Sequence, residues 1–331
     1  MREDTEVTWD LDGMTMYGTF LRPDGEGPFP AAVFVAGSGP TDRDWCSPLL
    51  PGTNGSGRLL AEALADAGIA SLRYDKRASG PHAMENVGRL VGHISMQSHL
   101  DELTAAVTAL VALPDVDDAR VVGLGNSEGT LHVLRYATSP QAVPFVGVVL
   151  LAPPGRSVGT LLLSQLGAQA ALLPDGEHLM TMVRAAAARY EAGRPMDPDP
   201  LLPDSVKMLL ASFEAPANLP FARELWSEDA TAGLSRLGVP ALVLIGGRDI
   251  QVDATADGGP LQAAAAGSPG ITFAFPPNAN HVVKEELRPA AEVAAAPGSG
   301  YNEDGTRLDP EAVEVVLGWL RRVLFPGTAD S

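Results

Sequence analysis

The chain has 331 residues, 45% of them hydrophobic, with 41 acidic against 23 basic side chains and a formal net charge of -18. That apolar content supports one large α/β domain with room for an inserted subdomain, and it excludes a globally disordered chain. The charge speaks against nucleic acid and anionic membranes as partners, because phosphate recognition needs a basic surface. The single cysteine, Cys46, excludes an intrachain disulfide and a thiolate metal cluster.

The first ten residues, MREDTEVTWD, are acidic and polar where a signal peptide would be basic and then apolar. No run of 18 apolar residues occurs. A soluble, cytoplasmic protein is expected, and nothing in the composition opposes a homo-oligomer. Residues 5–22 alternate around Asp12-Gly13 and predict an antiparallel hairpin. Strand-like and helix-like runs then take turns. AAVFVAG (31–37) predicts a buried strand, RLLAEALADAG (58–68) a helix closed by Gly68, IASLRYD (69–75) a strand and MQSHLDELTAAVTALVAL (96–113) a long amphipathic helix. RVVGLG (120–125) is strand-like and runs at once into the helix-like EGTLHVLRYAT (128–138). FVGVVLLA (145–152), ALVLIGG (241–247) and ITFAF (271–275) predict further strands, and PEAVEVVLGWLRRVLF (310–325) a closing helix.

Continuous apolar strands of this kind suit a parallel sheet covered on both faces. Between 155 and 235 the pattern is helical, broken by Pro/Asp-rich stretches such as RPMDPDPLLPD, with no convincing strand. The expected organisation is a core formed by 1–154 and 236–331, with 155–235 as a helical cap over the C-terminal edge of the sheet. LQAAAAGSPG (261–270) and PAAEVAAAPGSG (289–300) read only as alanine-rich.

Gly125-Asn126-Ser127-Glu128-Gly129 sits where strand must become helix. A serine on such a turn is lifted clear of the sheet, and small residues two before and two after it avoid a backbone clash. A second match, Gly155-Arg156-Ser157-Val158-Gly159, is set off from its strand by Pro153-Pro154, which favours Ser127 as nucleophile and leaves Ser157 in reserve. A dinucleotide fingerprint fails because Glu128 occupies its third glycine position, and no Gly-Lys dipeptide is present for a phosphate loop.

A catalytic serine needs a base, and the base an orienting acid. In the chain order serine, acid, histidine that accompanies this elbow, only His281 of the six histidines lies beyond the penultimate strand. Asp249 follows Gly246-Gly247 at the end of the preceding strand, with Asp253 as the alternative acid. The N–H of Glu128 and the backbone of Ser38 are the expected oxyanion donors.

With these residues in view, the chain resembles the α/β-hydrolase superfamily. Within it, the chain is similar to bacterial serine esterases with an AGSGPTDRDG-type loop and a RYDKRGxG strand end. Here the stretches are AGSGPTDRDW (36–45) and RYDKRASG (73–80), joined by GNSEG, GGRD, NANH and VLGWL. The resemblance spans most of 5–325 and is least informative over 155–235. It implies an α/β-hydrolase fold with a mostly parallel central sheet, flanking helices and a helical cap. It also implies an acyl hydrolase using Ser127, Asp249 and His281, without cofactor or metal.

Three positions depart from the pattern: Asn126 stands where His is usual, and Ala78 and Trp45 stand for glycines. Asn126 and Trp45 are therefore expected at the substrate pocket. Asp42, Arg43, Asp44, Asp75, Lys76 and Arg77 form two charged clusters, expected to pair between loops and fix the oxyanion segment. The leucine-, alanine- and methionine-rich cap suggests a compact, mostly apolar acyl substrate. The competing reading is a non-hydrolytic protein of the same fold, either an acyltransferase or a binder of an apolar ligand.

Overall fold

Asp12 and Gly13 both have positive φ, 55° and 71°, the backbone that lets a two-residue turn follow the right-handed twist of its strands. They join β1 (Asp4–Leu11) to β2 (Met14–Leu21) as the expected hairpin. The structure, a computed structural model, describes residues 4–268 and 270–327. The expected core ranges also include 1–3, Pro269 and 328–331, which lie outside the described residues.

The α/β repeat follows in order: β3 (Phe29–Val35), α1 (Ser56–Asp66), β4 (Ala70–Tyr74), α2 (Ala83–Leu90), α3 (Met96–Val111), β5 (Val116–Asn126), α4 (Glu128–Ala137) and β6 (Gly147–Leu151). Five helices come next: α5 (Val158–Ala170), α6 (Gly176–Glu191), α7 (Asp204–Ser212), α8 (Phe221–Trp226) and α9 (Thr231–Ser235). The chain then returns to the sheet with β7 (Ala241–Leu244), α10 (Gly258–Ala264) and β8 (Ile271–Ala274), and ends with α11 (Ala290–Ala295) and α12 (Pro310–Leu324). The strand β5 starts at Val116, upstream of the expected 120. The helix α2 was not expected: it is only eight residues long and buries only Asn86 and Leu90.

The eight strands form one sheet in the order β1-β2-β4-β3-β5-β6-β7-β8. β1 and β2 are antiparallel to their neighbours, and all pairings from β4 to β8 are parallel. Every residue of β3 and β6 is buried, as a strand covered on both faces requires. One face carries Val33, Val35, Val148 and Leu150 against Leu103 and Val107 of α3, Leu131 and Leu134 of α4, and Leu261 of α10. The alternate residues Ala32, Phe34, Val149 and Leu151 pack on Leu60 and Leu64 of α1 and Val316 and Leu320 of α12. The helices between β6 and β7 bury a third cluster of their own, including Leu166, Met180, Val183, Tyr190, Leu210 and Trp226.

The chain leaves β3 for β4 on one side and later takes up β5 on the other. The crevice at the C-terminal ends of β3 and β5 is therefore a topological switch point, where open α/β sheets bind ligands. Register places Val35 beside Gly125, so the loop after β3 faces the turn that ends β5. Among the described residues no helix is long and apolar enough to cross a membrane.

Leu150 of β6 is fully buried. Leu150→Ala should lower the free energy of unfolding by about 2–5 kcal/mol in urea titrations. Leu201→Ala, at a residue 78% exposed, should change it by less than about 0.5 kcal/mol.

Candidate active site

Asn126 ends β5 and Glu128 begins α4, so Ser127 alone makes the turn between them. It adopts φ 53° and ψ -124°, a positive-φ backbone that costs a non-glycine residue on the order of 1–3 kcal/mol. The surroundings hold it there. The Ser127 N–H donates to the Leu151 carbonyl at 2.8 Å, and the Ser127 carbonyl accepts from the Thr130 N–H at 3.0 Å and its hydroxyl at 2.6 Å. A Cβ on Gly125 would lie 2.6 Å from the Gly129 carbonyl, and one on Gly129 would lie 2.3 Å from the Val35 carbonyl oxygen. Both flanking glycines are thus demanded by backbone passing over backbone.

Two further glycines place the acid and the histidine. A Cβ on Gly246 would lie 2.0 Å from the Ala279 carbonyl oxygen, and one on Gly247 2.9 Å from that of Pro277. Their absence of side chain lets the loop leading to His281 cross the end of β7. The Asp249 carboxylate is fully buried, and its Oδ1 accepts from the N–H groups of Gln251 and Val252 at 2.8 and 3.0 Å. Its Oδ2 lies 2.9 Å from His281 Nδ1. A proton held on Nδ1 by Asp249 leaves Nε2 as the acceptor. The main chain of His281 is held as well. Its carbonyl accepts from Asn126 Nδ2 at 3.0 Å, and Asn280 Oδ1 accepts from the N–H groups of Val282 and Lys284 at 3.1 and 3.0 Å.

Ser127 and His281 share the wall of a cavity of about 380 Å³, together with Gly37, Ser38, Trp45 and Asn126. This is a volume at the lower end for small-molecule sites. The Glu128 N–H opens α4, in the first turn, where helix N–H groups lack intrahelical acceptors and carry the positive end of the dipole. Trp45, buried against Phe34 at a ring separation of 5.7 Å, forms one side. Asn126 lines the cavity but commits its amide nitrogen to the His281 carbonyl.

The sequence profile of the alpha/beta hydrolase family matches residues 32–296. The chain belongs to this family. An esterase of Thermotoga maritima, EstD, is 30% identical over 252 residues, covering 76% of this chain and 53% of the relative, so the chain spans about half the length of that protein. Among solved structures, a proline iminopeptidase of Mycobacterium smegmatis superimposes with a TM-score of 0.57 at 16% identity, covering 96% of this chain and 98% of that one. An esterase of Pyrococcus furiosus gives 0.54 at 16% identity, covering 98% and 92%. At such identities these structures speak for the alpha/beta hydrolase fold alone.

The competing sequence candidates have other occupations within this alpha/beta hydrolase. Ser157 caps α5, accepting from the Thr160 N–H at 3.3 Å. The glycines around it are set by packing, since a Cβ on Gly155 would lie 2.0 Å from the Asp257 carbonyl oxygen and one on Gly159 2.4 Å from the Trp226 ring. Asp253 accepts from the N–H groups of Thr255 and Ala256 at 2.9 and 2.6 Å and organises the turn before α10. Burial, with Asp42 and Asp44 adding to it, pushes the Cys46 thiol up to about 12, so it offers no thiolate nucleophile.

Arg43 and Asp75 pair loop to loop as expected, whereas Asp44 pairs with Arg73 of β4, Lys76 with Glu128 of α4 and Arg77 with Glu102 of α3. Arg43 meets Asp75 at 2.6 Å, Arg73 meets Asp44 at 2.9 Å and Arg77 meets Glu102 at 2.8 Å. His99, Glu128 and His132 form a buried group whose ligand-type atoms lie within 4.8 Å of one another. Lys76 at 3.3 Å already neutralises Glu128, and Arg77 neutralises Glu102 behind His99. A divalent cation would therefore leave the group with excess buried positive charge.

Sequence reading missed the polar lining. Gln165 and Gln169 of α5, Gln251, Tyr301 and Asn302 all face the cavity. Gln251 Nε2 donates to the Tyr301 hydroxyl at 3.3 Å, and the Tyr301 ring stacks on His281 with centroids 6.4 Å apart. The only local signal was the spacing of four between the two glutamines, which puts them on one helix face. The stretch 289–300, read as merely alanine-rich, belongs to a segment that brings Ala294, Pro297, Gly298, Tyr301 and Asn302 into the cavity wall. It has no amphipathic period to announce that role.

Burial lowers His132 from 6.5 to about 4, against the opposing pull of Glu128. Burial would raise Glu102, but His99 and Arg77 outweigh it and hold it at about 2. Both shifts destabilise the fold as pH falls, but in different windows. An unfolded chain takes up the His132 proton as pH falls below 6.5 while the folded chain does not, so this contribution is whole above 6.5 and is lost between 6.5 and 4. The Glu102 contribution is present above 4.5 and is lost as pH falls toward 2. Urea midpoints should thus begin to fall below pH 6.5, by on the order of 3 kcal/mol by pH 4. His132→Gln should flatten that first portion and leave the more acidic loss in place.

Proposed function

We propose that this alpha/beta hydrolase is a serine hydrolase that cleaves carboxylic esters, or the related thioesters and lactones, of compact, uncharged and mostly apolar substrates. The observation that carries this reading is the buried Asp249–His281 pair at 2.9 Å, with His281 and the strained Ser127 sharing one cavity. The esterase relative from Thermotoga maritima supports it. Helices within 155–235 act in this reading as a cap over the cavity, contributing Gln165 and Gln169 from α5.

The chemistry follows from those roles. Ser127 Oγ bonds to the acyl carbon while its proton passes to His281 Nε2. Asp249 holds the ring and stabilises the imidazolium. The carbonyl electron pair moves onto oxygen, where the N–H groups of Ser38 and Glu128 receive it. Collapse breaks the bond to the leaving group, which takes the proton from His281. Water then gives a proton to His281 and its oxygen to the acyl carbon. Breakdown of this second intermediate releases the acid and returns the proton to Ser127.

The cavity restricts the substrate by charge. Among the described residues no Asp, Glu, Lys or Arg lines it, while amides and apolar side chains such as Trp45, Leu50 and Ile250 do. An ionised substrate would lose hydration there without gaining a counter-charge.

Intact-mass labelling with a fluorophosphonate should give one adduct on the wild type and none on folded Ser127→Ala. An adduct surviving in Ser127→Ala would move the nucleophile elsewhere, to Ser157 first. No wild-type adduct and no turnover would favour the ligand-binding reading. Asp249→Asn should lower kcat by about 1,000-fold or more with the fold intact. Neutral butyrate esters should exceed matched hemisuccinate esters in kcat/KM by at least about ten-fold; equal values would remove the neutral-cavity argument.

A further inference from the structure

Lys76 lies just beyond β4 and is not among the residues that line the cavity. The side chain is 6% exposed, donates to the Gly37 carbonyl oxygen at 2.6 Å and lies 3.3 Å from Glu128 Oε1. The Glu128 carboxylate, 3% exposed, also lies 3.3 Å from His132 Nε2. Lys76 joins the loop after β3 to the first residue of α4, which are the two segments that carry the proposed oxyanion donors.

The peptide bond gives that link a direction. In a trans peptide the carbonyl of one residue and the N–H of the next point in opposite directions. A lysine that draws the Gly37 carbonyl into the protein therefore turns the Ser38 N–H out toward the cavity. The plane needs such a hold, because Gly37 forms one side of it and Gly39, at φ 72°, follows Ser38, and glycines oppose rotation least. Gly37 also packs tightly on the elbow: a Cβ there would lie 3.4 Å from Ser127 Cβ.

Glu128 completes the arrangement. Its backbone N–H is one proposed donor, and its carboxylate supplies the counter-charge that a buried lysine requires. A buried ion pair is weak evidence for stability, since apolar replacements of both partners are often neutral. The position of this pair, with one member anchoring each donor, indicates a geometric use. On the serine hydrolase reading above, we propose that Lys76 is a positioning residue of the oxyanion hole, orienting the Ser38 N–H through the Gly37 carbonyl with Glu128 as its counter-charge.

The test compares the wild type with Lys76→Met/Glu128→Gln, which removes both charges and leaves no buried ion unpaired. Three quantities are read on a p-nitrophenyl ester: kcat, KM and the inhibition constant of a boronic acid that forms a tetrahedral adduct with serine. The expected result is a folded double variant with kcat down about 100-fold or more, boronate affinity reduced in parallel and KM within about three-fold. A purely structural pair would lower the melting temperature and leave kcat and boronate affinity unchanged, and that result overturns the proposal.

Lys76→Arg keeps the charge but replaces a compact point donor by a planar fork. It should lower kcat and boronate affinity together by about ten-fold, and wild-type values for both would again overturn the proposal. Wild-type turnover and labelling of Ser127 test the hydrolase reading separately. Their absence would overturn that reading and the positioning role with it, whereas their presence beside unaffected variants would overturn the positioning role alone.

Discussion

The start of α4 passes so close to the end of β3 that a single Cβ on Gly129 would lie 2.3 Å from the Val35 carbonyl oxygen. Much else follows from that approach. It brings the loop after β3 beside the turn after β5, so Gly37 and Ser127 share one crevice. It goes with the positive φ of Ser127, the single residue that carries the chain from β5 into α4. It also puts the first turn of α4 directly behind Ser127, which lines the cavity. The strain at Ser127 is held by the fully buried strands β3 and β6, the buried C-terminal part of β5 and the Leu151 carbonyl, so its cost is met by the whole sheet.

A second constraint is the handling of charge. The chain carries a large negative excess, yet among the described residues no Asp, Glu, Lys or Arg lines the cavity. Charges are instead buried behind the lining, and each has a partner. Lys76 pairs with Glu128, Arg77 with Glu102 and Arg43 with Asp75. His132 is kept neutral near physiological pH by desolvation. This arrangement leaves the cavity with directed dipoles and low local polarity, the setting in which oriented N–H groups act most strongly on a developing negative charge. The region is also acid-sensitive, since burial favours neutral His132 while His99 and Arg77 favour ionised Glu102.

Two poorly patterned segments give the cavity its walls. The helices between β6 and β7 have their own apolar cluster and send the Gln165 and Gln169 face toward Ser127. The segment after His281 supplies Tyr301, which stacks on the histidine, and Asn302, whose amide donates to the Ser47 carbonyl at 2.9 Å. Buried Lys284 ties the start of this segment to Asn54 and Thr306, binding it to the loop before α1. The wall is therefore braced from both sides.

Local sequence determined the parts of this protein whose physics is local. The hairpin turn at Asp12-Gly13, the apolar strands, the long helices and the serine between two glycines all depend on backbone preference or on a short hydrophobic period. Chain order, read with them, pointed to Asp249 and His281. Only tertiary structure could set Asp249 against His281, assign Asp253 and Ser157 to turns and caps, and commit Asn126 to the histidine loop. These outcomes depend on close approaches between residues as far apart in sequence as Asn126 and His281. The cavity lining from Gln165 to Asn302 was likewise illegible, because residues that converge on a void from separate loops need share no period, spacing or composition. Lys76 shows the division most clearly: the sequence marks it as one charge in a cluster, and only the fold puts the Gly37 carbonyl at its tip.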